Sequence, residues 1–237
     1  MNSSVALAEL PQLERRTLSD TVYEALADLL ASGRLAPGDR LSLRQSAAAL
    51  GVSVMPVRDA VSRLAADGVL EVAPNRVIRV PVMSAEAFRA LAETRIAVEG
   101  IAVARAAERR TDDELAAIRR AEAAFRAEAE AARPDCARAV QLNRDLHFAI
   151  YGACGLAPLQ DVIARLWLKA GPVINLDLRA HPERLLQGFA LRRHAEALAA
   201  IENRDGIAAA AAIAADIREA ADFIMSRGGL RDAQGED

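Results

Sequence analysis

Apolar residues recur at helical spacing along almost the whole chain, and that rhythm breaks in one short stretch. From Ser19, the residues Val22, Leu26, Leu29 and Leu30 fall at i, i+4, i+7 and i+8, which predicts an amphipathic helix capped by Ser19 or Asp20 and stopped at Gly33. The turn GRLAPGDRL follows, and Ser42 caps a short second helix that runs through Leu50 and ends at Gly51. Ser53 opens a third helix whose core stripe is Val57, Val61 and Leu64. Pro56 is tolerated in its first turn, because N–H groups there lack intrahelical partners in any case. After Gly68 the β-branched runs Val69–Val72 and Val77–Val80 flank Pro74-Asn75-Arg76 and read as a hairpin. The sequence PVMS then links to a region with helical periodicity only. Helices are predicted over 85–108, 112–132, 135–153, 157–178, 182–203 and 206–227, separated by Asp-, Gly- and Pro-containing breaks.

This order predicts a mainly α fold with two domains. Residues 1–16 read as a loose arm, 17–81 as a winged helix-turn-helix with a short β-hairpin wing, 85–228 as an all-α helical bundle, and 229–237 as a tail. Helix 43–50 would support and helix 53–67 would read DNA, since the second helix of such a unit projects its N-terminal side chains into the major groove. Arg58, with Ser53, Met55 and Pro56 around it, lies at that reading end, and Arg44 approaches the same groove. Asn75 and Arg76 sit at the wing tip, along the backbone or minor groove. The plain reading of Arg58 and Arg63 is a solvated helix face; the order of helices, turns and hairpin outweighs it.

Charge sharpens this picture. The chain has a formal net charge of −3, but residues 34–80 carry seven arginines against four acids. A DNA binder needs a basic face, not a basic chain. Hydrophobic residues make up 52% and charged residues 27%, which excludes a disordered chain. The N-terminal residues lack the basic-then-apolar pattern of a secretory signal, and the longest apolar run is too short to span a bilayer. A cytoplasmic location with no membrane partner is expected. Cys136 and Cys154 lack CxxC spacing and read as buried free thiols.

The segments GRLAPGDRLS, ALGVSVMPVRDAVSRLAADGVL and NRVIRV resemble the N-terminal domain of the GntR family of bacterial transcription regulators. Val54 stands where that family commonly has Arg, and Val77 where its wing usually has Gly. The all-helical second half, through TRIAVEGIAVARAA, NRDLHFAIYGACG and RRHAEALAAIENRDGIAAAAAIAADI, is similar to the FadR-like branch with its FCD domain. The resemblance implies a homodimer on a near-palindromic operator in double-stranded DNA. It also implies a bundle that holds a divalent metal beneath a pocket for a small carboxylate effector, with Arg95 turned towards the effector.

The spacing of the polar residues fits that implication. Asn143 and His147 are i, i+4 on one helix face; His194 shares a stripe with Leu191, Leu198 and Ile201; Asp216 shares one with Ile213, Ala220 and Phe223. A buried carboxylate needs a partner, and histidines converging with a carboxylate suit a borderline cation. Where the branch commonly has an acid and a third His, this chain has Asn143 and Asp216. That moves the donor set towards harder ions, Mn²⁺, Fe²⁺ or Ni²⁺ alongside Zn²⁺. A metal-free polar cluster is the competing reading, and for Arg95 the competing reading is an i, i+4 pair with Glu99. His181 reads as a loop surface residue and Trp167 as bundle core or interface. A regulator, not an enzyme, is the predicted function. The alternatives are a metal-free regulator of an acyl or apolar ligand, and a metalloenzyme with a two-His, one-carboxylate centre.

Overall fold

The computed structural model describes residues 17–73, 77–180, 185, 188–227 and 230. Its fold is mainly α, with a winged helix-turn-helix at the N-terminal end and a helical bundle after it. Helix α1 (Leu18–Ala31) starts one turn earlier than its apolar stripe suggests, because Thr17, and not Ser19 or Asp20, caps it. Thr17 and Asp20 form a reciprocal capping box. The Thr17 hydroxyl, and after it Arg63, hold the Asp20 carboxyl down at about 2.

Strand β1 (Arg40–Leu41), helix α2 (Leu43–Leu50) and helix α3 (Val54–Ala66) follow, then β2 (Glu71–Val72) and β3 (Ile78–Arg79). The predicted hairpin is therefore part of a three-stranded antiparallel sheet in the order β1-β3-β2, with Leu41 opposite Ile78 and Val72 opposite Ile78 on its two sides. Ser42 caps α2 through its side chain, and Gly51 ends it in the left-handed conformation. Ser53 occupies the N-cap of α3 but makes no side-chain cap bond. The wing tip, Asn75 and Arg76, lies outside the described residues.

The bundle consists of α4 (Ala85–Arg109), α5 (Asp112–Ala129), α6 (Cys136–Gly152), α7 (Ala157–Ala180), α8 (Phe189–Glu202) and α9 (Gly206–Ser226). Helix α8 begins at Phe189, after Gly188 with φ 69°, and not at 182 as its periodicity predicts. His181 lies outside the described residues. Cys154 is buried, while Cys136 is only partly so. Among the described residues no helix is long and apolar enough to cross a membrane.

Buried residues form a head cluster, around Val22, Leu26, Leu30, Val57, Leu64 and Ile78, a bundle cluster, around Val103, Ile118, Leu146, Ile150 and Ile213, and a small third one of Phe125, Ala129, Ala139 and Leu185. Helix α7 belongs to both. Its Leu168 is buried within the head cluster, while Ile163 and Val173 lie in the bundle cluster. Helix α1 rests on α7 at very short range. A Cβ on Gly171 would stand 3.1 Å from the Ala31 Cα, and one on Gly33 would stand 2.0 Å from the Asn175 Cβ. The Asn175 amide donates to the Ala31 carbonyl at 2.5 Å. Arg165 with Asp67 at 3.4 Å and Arg144 with Asp28 at 3.8 Å flank the joint.

Two glycines separate backbone strain from this contact. Gly51 and Gly33 have similar positive φ, 66° and 62°, but a Cβ on Gly51 would meet nothing within 4 Å. Gly51→Ala is expected to cost about 1 kcal/mol of strain alone. Gly33→Ala, which must also push Asn175 away, is expected to cost on the order of 3 kcal/mol or more. Equal costs in denaturant unfolding would mean that the head does not need this close approach.

Candidate metal and effector site in the bundle

His147 comes from α6, His194 from α8 and Asp216 from α9, and all three side chains are buried. The capped helix starts set their register: the Asp135 side chain accepts from Ala137 and Arg138 at the start of α6, and Asp205 accepts from Ala208 at the start of α9. The Asp216 carboxylate stands 3.4 Å from His147 Nε2 and 3.6 Å from His194 Nε2. One ligand atom from each of the three residues lies within 4.8 Å of the others. None of His147 Nε2, His194 Nδ1 and His194 Nε2 has a hydrogen-bond partner among the described residues.

A buried chain of polar groups orients His147. Tyr151 donates its hydroxyl proton to Glu99 Oε2, so its oxygen is left to accept from His147 Nδ1, 2.8 Å away. That assigns the proton to Nδ1 and leaves the Nε2 lone pair facing Asp216. Burial pushes the His147 imidazole down and outweighs the pull of Asp216 in the other direction. Burial and then Glu99 push Tyr151 well above the ordinary phenol value, so it remains a donor. The His147 Nε2 lone pair and the Asp216 carboxylate, 3.4 Å apart without a hydrogen bond, repel each other unless a cation lies between them. Ligand atoms around a tetrahedral ion, with bonds of about 2.0–2.2 Å, stand roughly 3.4 Å apart. The two distances to Asp216 and the unpaired nitrogens fit a divalent metal.

The predicted site residues fall into distinct places. Asn143 is partly buried one turn before His147 and lines the same cavity. Arg95 also lines it, but its guanidinium grips Glu99 at 2.6 and 3.3 Å and stacks over Trp167. The sequence left two readings of Arg95 open, and the pair with Glu99 is present. Glu99 outweighs the effect of burial and raises the Arg95 pKa further. Trp167 is a wall of the cavity as well as a bundle residue. The cavity holds about 70 Å³ and reaches from Asp216 and His147 past Arg144 and Asn175 to Ala31 at the end of α1.

On the head, Arg44, Ser53, Met55 and Arg58 are exposed along α2 and the start of α3, and neither Arg44 nor Arg58 has an ion-pair partner among the described residues. Pro56 is the exception. It is buried beside Val57 and faces the head core, because the first turn of α3 lays every third or fourth side chain inward. Arg63 is committed to structure, paired to Asp20 at 2.7 Å and stacked over Tyr23.

Tyr151, Arg144 and Asn175 were not singled out from the sequence. Tyr151 was the findable one, four residues after His147 on the same face. Arg144 and Asn175 gain their positions from contacts with α1, far away in the chain. The buried Arg95–Glu99 pair gives the sharpest test of the network. Glu99→Ala would leave a buried guanidinium unpaired, and a loss of about 3–5 kcal/mol is expected in denaturant unfolding. A loss below about 1 kcal/mol would show that solvent reaches Arg95 and that the network does not hold His147.

Residues 18–80 match the family described as bacterial regulatory proteins, gntR family, and residues 90–219 match the FCD domain. The HTH-type transcriptional regulator McbR of Escherichia coli K12 is 29% identical over 198 residues, covering 82% of this chain and 86% of McbR. The Nta operon transcriptional regulator of Aminobacter aminovorans is 32% identical over 117 residues, 49% of this chain and 54% of that protein. The solved structure of E. coli McbR/YncC superposes with a TM-score of 0.82 at 26% identity, over 91% of this chain and all of that one (100%). A GntR-type regulator from Rhodococcus sp. RHA1 shares the fold, with a TM-score of 0.72 at 24% identity over 90% of this chain and 99% of that one. The winged helix and the bundle thus meet in one lineage, and the chain belongs to the GntR family of DNA-binding transcriptional regulators, with an FCD domain as its second half.

Proposed function

We propose that this regulator binds a near-palindromic operator as a homodimer and responds to a small carboxylate held at or near a divalent metal in the bundle. The observation that carries the reading is the buried His147, His194 and Asp216 set, with unpaired nitrogens beside a cavity that ends at the head. His147, His194 and Asp216 would hold the ion, with Asn143 next to them. The ion would supply a positive charge for the effector carboxylate. Arg95, fixed by Glu99, adds a second positive wall. A cavity of about 70 Å³ argues against an acyl chain, since sites for drug-sized ligands run from about 300 Å³ upwards.

Residues 17–81 would act as the reading head and 85–228 as the effector and dimerisation unit. On the head, Arg58 would contact a base edge, Arg44 would approach the same groove, and Asn75 and Arg76, at the wing tip the sequence predicts, would follow the backbone. Ser53 and Met55 stand exposed at the same end of α3. Dimerisation is supported by one face of the bundle. Gly206 packs on Ala104 and Gly100 on Ala210, so α4 and α9 run close together, and Ile101 and Ile207 flank this seam at 55% and 86% exposure. The names of the relatives support a regulator over an enzyme. DNA binding supports a cytoplasmic location.

Two experiments test the reading. DNA sites selected from a random pool by the wild-type protein should be bound about 1–3 kcal/mol more weakly by Arg58→Ala, with relaxed preference at one base pair. Undiminished binding removes α3 as the reader. Elemental analysis after purification without chelator or nickel resin should find near-stoichiometric metal in the wild type and little in His147→Ala. Protein that takes up none of Mn²⁺, Ni²⁺ or Zn²⁺ has no metal-held effector.

A further inference from the structure

We propose that Asn175 selects the effector and links it to the DNA-binding head: its carboxamide oxygen accepts a hydrogen bond from a hydroxyl on the bound carboxylate, while its nitrogen holds α1. The inference rests on the reading above that the cavity takes a small carboxylate.

Asn175 is 2% exposed, and its orientation is fixed chemically. The Ala31 carbonyl can only accept, so the amide nitrogen must face it, and the oxygen cannot exchange places with the nitrogen. That oxygen is sealed from solvent and has no partner among the described residues, although Asn175 lines the cavity. Buried amide oxygens are ordinarily paired, so this one is positioned for a donor that arrives with a ligand.

The rest of the wall indicates which ligand. Trp167, Gly171, Ile174 and Asn175 all line the cavity from one face of α7. Trp167 Nε1 is a further buried group without a partner among the described residues, and it can only donate. The wall therefore offers a donor, Trp167 Nε1, and an acceptor, Asn175 Oδ1, at separate points along α7. Arg144 lines the same cavity and stands 3.8 Å from Asp28 on α1. A complementary ligand carries its carboxylate towards His147 and Asp216, and a hydroxyl at its other end towards Asn175.

The test uses full-length, Mn²⁺-loaded protein and matched acids that differ by one terminal hydroxyl: 4-hydroxybutyrate against butyrate, and 5-hydroxypentanoate against pentanoate, by calorimetry. The hydroxylated member should bind at least tenfold more tightly to the wild type. Asn175→Ala should lose that preference. Asn175→Asp keeps an acceptor and should keep the preference, while amides 31–35 exchange faster because the tie to Ala31 is gone. Equal binding within each wild-type pair overturns the proposal, and so does an unchanged preference in Asn175→Ala. If none of the four acids binds the wild type, the small-carboxylate reading falls, and the role of Asn175 falls with it.

Discussion

The close approach of α1 to α7 is the constraint on which the rest of the molecule depends. Two helices can touch at backbone distance only where one side supplies no Cβ. Here Gly171 lies under Ala31, and Gly33 turns over Asn175 with φ 62°. With that gap closed, Leu168 reaches the head cluster and becomes part of its core. A side chain in the core of one domain, carried by a helix of the other, makes any movement of the head expose apolar surface. Small ion pairs at the rim, Arg165 with Asp67 and Arg144 with Asp28, add direction more than strength, since they are partly solvated.

The second constraint is electrostatic and acts inside the bundle. Arg95 and Glu99 are both buried, which is tolerable only because each satisfies the other and Tyr151 also donates to Glu99 Oε2. The pair does more than balance charge. By accepting from Tyr151, Glu99 turns the tyrosine oxygen into an acceptor, and that fixes which nitrogen of His147 carries a proton. A residue on α4 thereby sets the chemistry of a residue on α6. Asn143 in place of an acid and Asp216 in place of a third histidine leave this relay intact, because it approaches His147 from its other side.

Much of the fold was legible because it is written locally. The apolar stripes give all nine described helices, and the boundaries at Ser42, Gly51, Ser84 and Asp205 follow from capping chemistry. Strand β1 was not legible: two residues, Arg40 and Leu41, carry no period, and only pairing with β3 makes them a strand. Thr17 was missed as a cap because its capping box with Asp20 precedes the apolar stripe that marks the helix. In the site, His147, His194 and Asp216 stood out as polar residues on apolar stripes, and Arg95 with Glu99 as a helical pair. Asn175 could not stand out. It lies in an apolar run of α7, between Ile174 and Leu176, and what gives it meaning is Ala31, 144 residues away.

A ligand can move a two-state protein only if it binds one state better than the other. In this chain that difference follows from which groups line the cavity. Its walls include Ala31 from the head and Gly171 and Asn175 from the bundle, so undocking the head removes part of the binding surface. A ligand satisfied by the remaining wall alone, at the His147 and Asp216 end, would bind docked and undocked heads equally and regulate nothing. A ligand that reaches the α1 end must favour one arrangement, because the amide that meets it there is the same amide that holds the Ala31 carbonyl.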